Sequence, residues 1–132
     1  MNEPLIDIFI KFLKFGLVGA SGLAVDFGLT FLFKEILKSN KYIANSVGFL
    51  SAASSNYAIN RMWTFASADP DIANQYMKFI GVSLVGLVLS YTILKLIHEQ
   101  LNWNFYLAKL IAIGLVMSWN FAINLVFTFA PD

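Results

Sequence analysis

The chain has 132 residues but no cysteine, one histidine, three prolines and only 13% charged residues. Without thiols there is neither a disulfide nor a thiolate metal ligand. A charged share about half the roughly 25% of ordinary soluble domains leaves too few ions to clothe a water-facing surface. The ions it has are nearly balanced, Lys+Arg 9 against Asp+Glu 8, so no nucleic-acid partner is expected. The lone His98 sits beside Glu99 at the end of an apolar stretch, which makes it an interfacial side chain and not a ligand.

Hydrophobic residues make up 58% of the chain, with 13 Phe and a mean hydropathy of +0.69. They fall into four apolar stretches, near 12–33, 42–65, 76–97 and 105–129. Each reaches the roughly 20 residues that cross about 30 Å of hydrocarbon. Their unbroken apolarity indicates helices, because barrel strands alternate over about ten residues. Pro4, Pro70 and Pro131 all fall outside the stretches, and the polar run 66–75 reads as a linker. Three further spans follow the first, so the first is not read as a cleaved signal peptide.

Adding 64 to a residue number carries Lys14-Phe15 onto Lys78-Phe79, Tyr42 onto Tyr106, and 56–60 (NYAIN) onto 120–124 (NFAIN). Between 12 and 65 this shift returns 18 identities in 54 pairs without a gap. The expected fold is therefore an all-α membrane protein, a single membrane domain of four transmembrane helices arranged as two tandem two-helix repeats, 12–65 and 76–129. Two spans per copy put both copies into the membrane from the same side, which implies a parallel pseudo-two-fold along the membrane normal. Charge does not orient the chain: Lys11, Lys14, Arg61 and Lys78 lie toward one side, and Lys34, Lys38, Lys41, Lys95 and Lys109 toward the other.

Polar groups inside hydrocarbon are expensive, so they mark where function is to be sought. Steps of three and four link Asn45, Phe49, Ala52, Asn56 and Asn60 in the second span. Lys109, Ile113, Val116, Asn120 and Asn124 repeat that face in the fourth. Two asparagine ladders facing a shared interior would form a polar path for sugar hydroxyls. Asp26 and Lys109 fall at comparable depth and are expected to form an ion pair or to carry a proton. On the opposite membrane face Arg61, Lys14 and Lys78 form a candidate phosphate site, Arg61 foremost, because its planar donor fork suits phosphate oxygens. Trp63, Phe65, Phe127 and Phe129 at the span ends read as an interfacial aromatic belt. No Walker motif or metal-ligand spacing appears. No enzyme activity, metal or cofactor is expected.

The opening F-x-K-F-G-x-V-G-x-x-G at 12–22, Asp26, Ala44-Asn45, N-Y-x-x-N-R-x-W-T-F at 56–65 and N-F-x-x-N at 120–124 together resemble the GtrA-like family. The resemblance covers 12–129. It implies a multi-pass protein of the bacterial inner membrane with both termini cytoplasmic. The implied function is translocation (flipping) of a polyprenyl-phosphate-linked monosaccharide, such as undecaprenyl-phosphate-glucose, for cell-surface polysaccharide. Other members resemble the membrane domain of dolichol-phosphate-sugar synthases. Implied partners are the lipid-linked sugar, membrane lipids, a membrane glycosyltransferase and further copies of the chain. A scaffold recruiting that transferase, or a small-multidrug-type exporter, are the alternatives. Where the family often closes the second copy with Asn-Arg, this chain has Asn124-Leu125, which leaves Arg61 without a counterpart.

Overall fold

The computed structural model of the chain describes residues 3–130, without the side chain of Tyr106. Pro131 lies outside the described residues. The described chain is helical throughout: α1 Glu3–Phe31, α2 Lys41–Ile59, α3 Ile72–Lys95 and α4 Phe105–Ile123. Each runs on into a five-residue π-helical turn, at Leu32–Ile36, Asn60–Thr64, Leu96–Gln100 and Asn124–Thr128. Two compact units result, Met1–Ala68 and Asp69–Asp132.

The helix ends follow from local chemistry. Asn40 caps α2 by accepting from the Tyr42 amide at 2.7 Å, and Asn104 caps α4 by accepting from Leu107 N at 3.2 Å. Such caps are worth about 1 kcal/mol each. Asp71 caps α3 through Asn74 N at 3.2 Å. The helices stop where a residue turns left-handed: Lys38 at φ 58°, Ala66 at 44° and Asn102 at 57°. Beyond each of these the next amide reaches back six residues, Ser39 N to Phe33 O, Ser67 N to Arg61 O and Trp103 N to Ile97 O. These bonds satisfy carbonyls that a frayed terminus would leave open.

Two boundaries differ from the sequence reading. The first helix starts at Glu3, not near residue 12, so Pro4 lies inside α1. The first turn tolerates it, because the missing N–H has no partner there in any case. An Asp7–Lys11 contact at 3.1 Å one turn apart supports this polar prelude. The linker is shorter than 66–75, because Asp71 starts α3 early enough to bury Gln75 to 2% exposure.

Within the first unit α1 and α2 form an antiparallel hairpin, with Phe15 edge-on to Phe65 at 6.4 Å at one end and Thr30 beside Ala44 at the other. The buried stripe of α1 is Phe15, Val18 and Gly22. Gly22 lies against Asn56 of α2, and further along α1 Asp26 and Thr30 lie against Gly48 and Ala44. Small side chains let the two backbones approach closely, which is how helices associate where lipid removes the hydrophobic drive. The second unit is built likewise from α3 and α4, with Phe79 edge-on to Phe129 at 6.2 Å and Ala108 and Ala112 fully inside.

Among the described residues three helical segments are long and apolar enough to cross a membrane: Glu3–Ile36, Ile72–Gln100 and Leu107–Thr128. The segment of α2 and its π turn is long enough, but three serines and two asparagines in 51–60 dilute its apolarity. Large side chains such as Leu17, Phe27, Met77, Val88 and Leu110 are more than half exposed, as befits helices whose outer surface meets lipid.

Candidate functional site: buried amide rows beside cationic turns

Along α2 the side chains that face α1 recur every four residues: Ala44, Gly48, Ala52, Asn56, Asn60 and Thr64. Asn60 is 1% and Thr64 3% exposed. Their π turn widens the helix at its last polar step, a device frequent at functional positions. In the second unit the same spacing gives Ala108, Ala112, Val116, Asn120, Asn124 and Thr128, with Asn124 at 1% and Thr128 at 3%. The sequence reading put Asn45 and Lys109 on this face. Both are exposed, as is Ile113, because each lies one residue, about 100°, away from the buried row. Thr64 and Thr128 were missed as members, although an unbroken step of four would have found them.

The rows contact glycines. Asn56 lies against Gly22 so closely that a methyl there would overlap its amide, and Asn120 stands in the same relation to Gly86. The Thr64 hydroxyl donates to Asn60 Oδ1 at 2.7 Å, and Asn124 Nδ2 donates to Asn120 O at 2.7 Å. These contacts make the amides part of each hairpin's seam. They also leave oxygens unserved. Asn56 Oδ1, Asn120 Oδ1, Asn124 Oδ1 and Thr128 Oγ1 are buried and have no donor among the described residues. An unmet buried acceptor costs about 1–3 kcal/mol. The four share one chemistry, since each can accept a hydrogen bond.

Asp26 is half-buried at the far end of the first seam. Thr30 Oγ1 lies 3.1 Å from Asp26 Oδ1 and 3.4 Å from Ala44 O. Gly48 makes room for this pair, because a methyl there would overlap both Thr30 Oγ1 and the carboxylate. The sequence reading passed over Thr30, and a hydroxyl one turn after an intramembrane acid was the available signal.

At the opposite end stand the cations. Lys14 Nζ lies 5.1 Å from the centre of the Trp63 ring, and Lys78 Nζ lies 4.8 Å from that of Phe127. Each contact contributes about 0.5–2 kcal/mol, depending on how dry it is. Trp63 and Phe127 are thus more than belt residues, for each sets the position of an ammonium. Arg61 is half-buried in the same π turn as Asn60 and Thr64, so a guanidinium and the buried amide share one turn of helix. At the equivalent place the second unit has Leu125.

No curated protein matches the chain. The model of the family described as GtrA/DPMS, transmembrane domain, matches residues 14–129, which include both hairpins, both amide rows and all three cations. The chain is a membrane protein that belongs to the GtrA/DPMS transmembrane-domain family.

Proposed function

We propose that the protein flips a polyprenyl-phosphate-linked monosaccharide, of the undecaprenyl-phosphate-glucose kind, across the bacterial inner membrane for cell-surface polysaccharide modification. The observation that carries this reading is the set of unmet acceptors on Asn56, Asn120, Asn124 and Thr128. A sugar is a dense source of hydroxyl donors, and acceptors fixed in advance replace the water that its head group loses in hydrocarbon. The phosphate is taken at the cationic end of a hairpin, by Arg61 and Lys14 in the first or by Lys78 in the second, while the lipid chain stays among the exposed apolar side chains. In this proposal all four helices cross the bilayer, the two hairpins are tandem repeats, and both termini are cytoplasmic. Asp26 carries a proton or an ion pair that couples the movement. No covalent bond is made or broken, so the protein acts as a carrier and not as an enzyme.

The seam contacts favour a second reading. Thr64 occupies Asn60, and Gly22 holds Asn56, as in a rigid scaffold that positions a membrane glycosyltransferase without moving lipid. Reconstitution of the purified chain alone into liposomes separates the two. A carrier equilibrates an oxidation-accessible glycosyl lipid between leaflets within the assay. A scaffold leaves the asymmetry intact until a transferase is added.

A further inference from the structure

In the first hairpin the hydroxyl of Thr30, the carboxylate of Asp26 and two main-chain carbonyls converge beside Gly48. Thr30 Oγ1 lies 3.1 Å from Asp26 Oδ1 and 3.4 Å from Ala44 O. A Cβ on Gly48 would run into Thr30 Oγ1, Asp26 Oδ1 and the Asp26 carbonyl oxygen at once, so three oxygens of α1 crowd one spot on α2. The Thr30 hydroxyl has a single hydrogen to give, and the charged Asp26 Oδ1 is the nearer acceptor. Ala44 O therefore keeps a lone pair on this side.

Asp26 stands about 15 Å along the helix from its end at Ile36, which is half of the roughly 30 Å of hydrocarbon. A carboxylate at that depth requires a compensating positive charge. Among the described residues of the first hairpin none supplies it: the ion pairs there are Asp7–Lys11 and Glu35–Lys34, and the hydrogen bond to the Asp26 carboxylate comes from Thr30. At the equivalent places the second hairpin has Ser90 for Asp26, Leu94 for Thr30 and Ala112 for Gly48. Those three changes remove the charge, the hydroxyl and the room. Ala112 is 1% exposed, so the seam packs as well without an oxygen cluster, and packing alone does not account for the one in the first hairpin.

We propose that this cluster is a Na⁺ site, its ligands the carboxylate and carbonyl of Asp26, Thr30 Oγ1 and Ala44 O. Carboxylate, hydroxyl and carbonyl oxygens suit hard cations and not the softer transition metals. One carboxylate balances one positive charge, so a monovalent ion leaves the site neutral in hydrocarbon, whereas Ca²⁺ or Mg²⁺ would leave it charged. Main-chain carbonyls take the place of the ion's water, as they do at ion sites inside membrane carriers. With ligands from both α1 and α2, the ion ties the two helices together at mid-membrane. This deepens the carrier reading, on which the coupling role of the site rests, by naming the ion that Asp26 carries.

The test uses the full chain in detergent, freed of Na⁺ and held at constant ionic strength with choline. Radiolabelled Na⁺ should bind saturably at one ion per chain, and added Na⁺ should raise the melting temperature as the site fills. K⁺ should need at least a tenfold higher concentration for the same rise. Asp26→Asn and Thr30→Val should each raise the half-saturation concentration for Na⁺ at least tenfold, whereas Thr30→Ser, which keeps the hydroxyl, should retain binding. Ser90→Ala, at the equivalent place in the second hairpin, should change nothing. Helicity shows which variants fold, and should Asp26→Asn fail to, the contrast between Thr30→Val and Thr30→Ser decides. No saturable Na⁺ binding by the unaltered chain, an equal response to K⁺, or undiminished binding in folded Asp26→Asn or Thr30→Val overturns the proposal. Na⁺ binding without leaflet exchange in the liposome assay would sustain this site and sink the carrier reading. Leaflet exchange by a chain that binds no Na⁺ would do the reverse.

Discussion

Replacing Gly22 by Ala tests whether the amide row is a packed seam, because the added methyl meets the Asn56 amide directly. Forcing such an overlap costs about 1–3 kcal/mol. Against this stands a gain of up to about 1 kcal/mol from replacing a mid-helix glycine with Ala. Gly22→Ala alone should therefore destabilise the hairpin by about 0–2 kcal/mol. Gly19→Ala, whose Cβ would meet nothing within 4 Å, should keep the propensity gain and be neutral or stabilising. In an Asn56→Ala background the obstacle is gone, and Gly22→Ala should turn favourable. The coupling between the two positions should then be about 1–3 kcal/mol, well beyond the few tenths expected of independent sites. Unfolding of the four variants in detergent micelles by SDS titration, followed by far-ultraviolet circular dichroism, gives all the terms of the cycle. Equal effects of Gly22→Ala in both backgrounds would refute the contact, and with it the inward placement of Asn56.

Thr64→Val should cost about 1–3 kcal/mol in the same assay, because it strands the Asn60 oxygen that the hydroxyl now serves. Thr128→Val, whose hydroxyl has no partner among the described residues, should be neutral or stabilising; equal losses at both threonines would contradict the assignment of partners. Arg61→Ala should weaken binding of a glycosyl phosphoryl lipid at least tenfold, with Arg61→Lys intermediate because it keeps the charge and loses the fork. Unaltered affinity would remove Arg61 from the phosphate site. Trp63→Leu should release Lys14, weakening phosphate affinity up to several-fold, while Trp63→Phe retains most of it; equal effects of the two would show that the ring plays no part. Asp26→Asn should leave a folded chain that no longer moves lipid, and full transport by that variant would end its role in coupling.

Helix type and number were legible because unbroken apolar stretches admit few alternatives, and the cations next to aromatic residues were legible from their place at the stretch ends. The inward set was only half legible. A ladder of mixed steps of three and four begun at Asn45 started one residue off the buried face and joined it only at Ala52, whereas Ala44, Gly48 and Ala52 keep a step of four into Asn56, Asn60 and Thr64. Hydrophobicity alone could not show this, since small residues mark close helix approach without being strongly apolar. The early start of α1 was missed because charged residues such as Asp7 and Lys11 suit an exposed helix as well as a loop. The π turns carry no sequence signal that distinguishes them from an ordinary last helical turn.

The central claim is that the unmet oxygens and the cations beside them receive a sugar phosphate. Its most direct test is the position of a glycosyl polyprenyl phosphate bound to the chain in a lipid nanodisc, determined by electron cryo-microscopy with the protein enlarged by a bound antibody fragment. The expected density puts the phosphate within hydrogen-bond reach of Arg61, Lys14 or Lys78, with sugar hydroxyls on the oxygens of Asn56, Asn120 or Asn124. Head-group density elsewhere, with these amides buried against their glycines and touching no ligand, would contradict it.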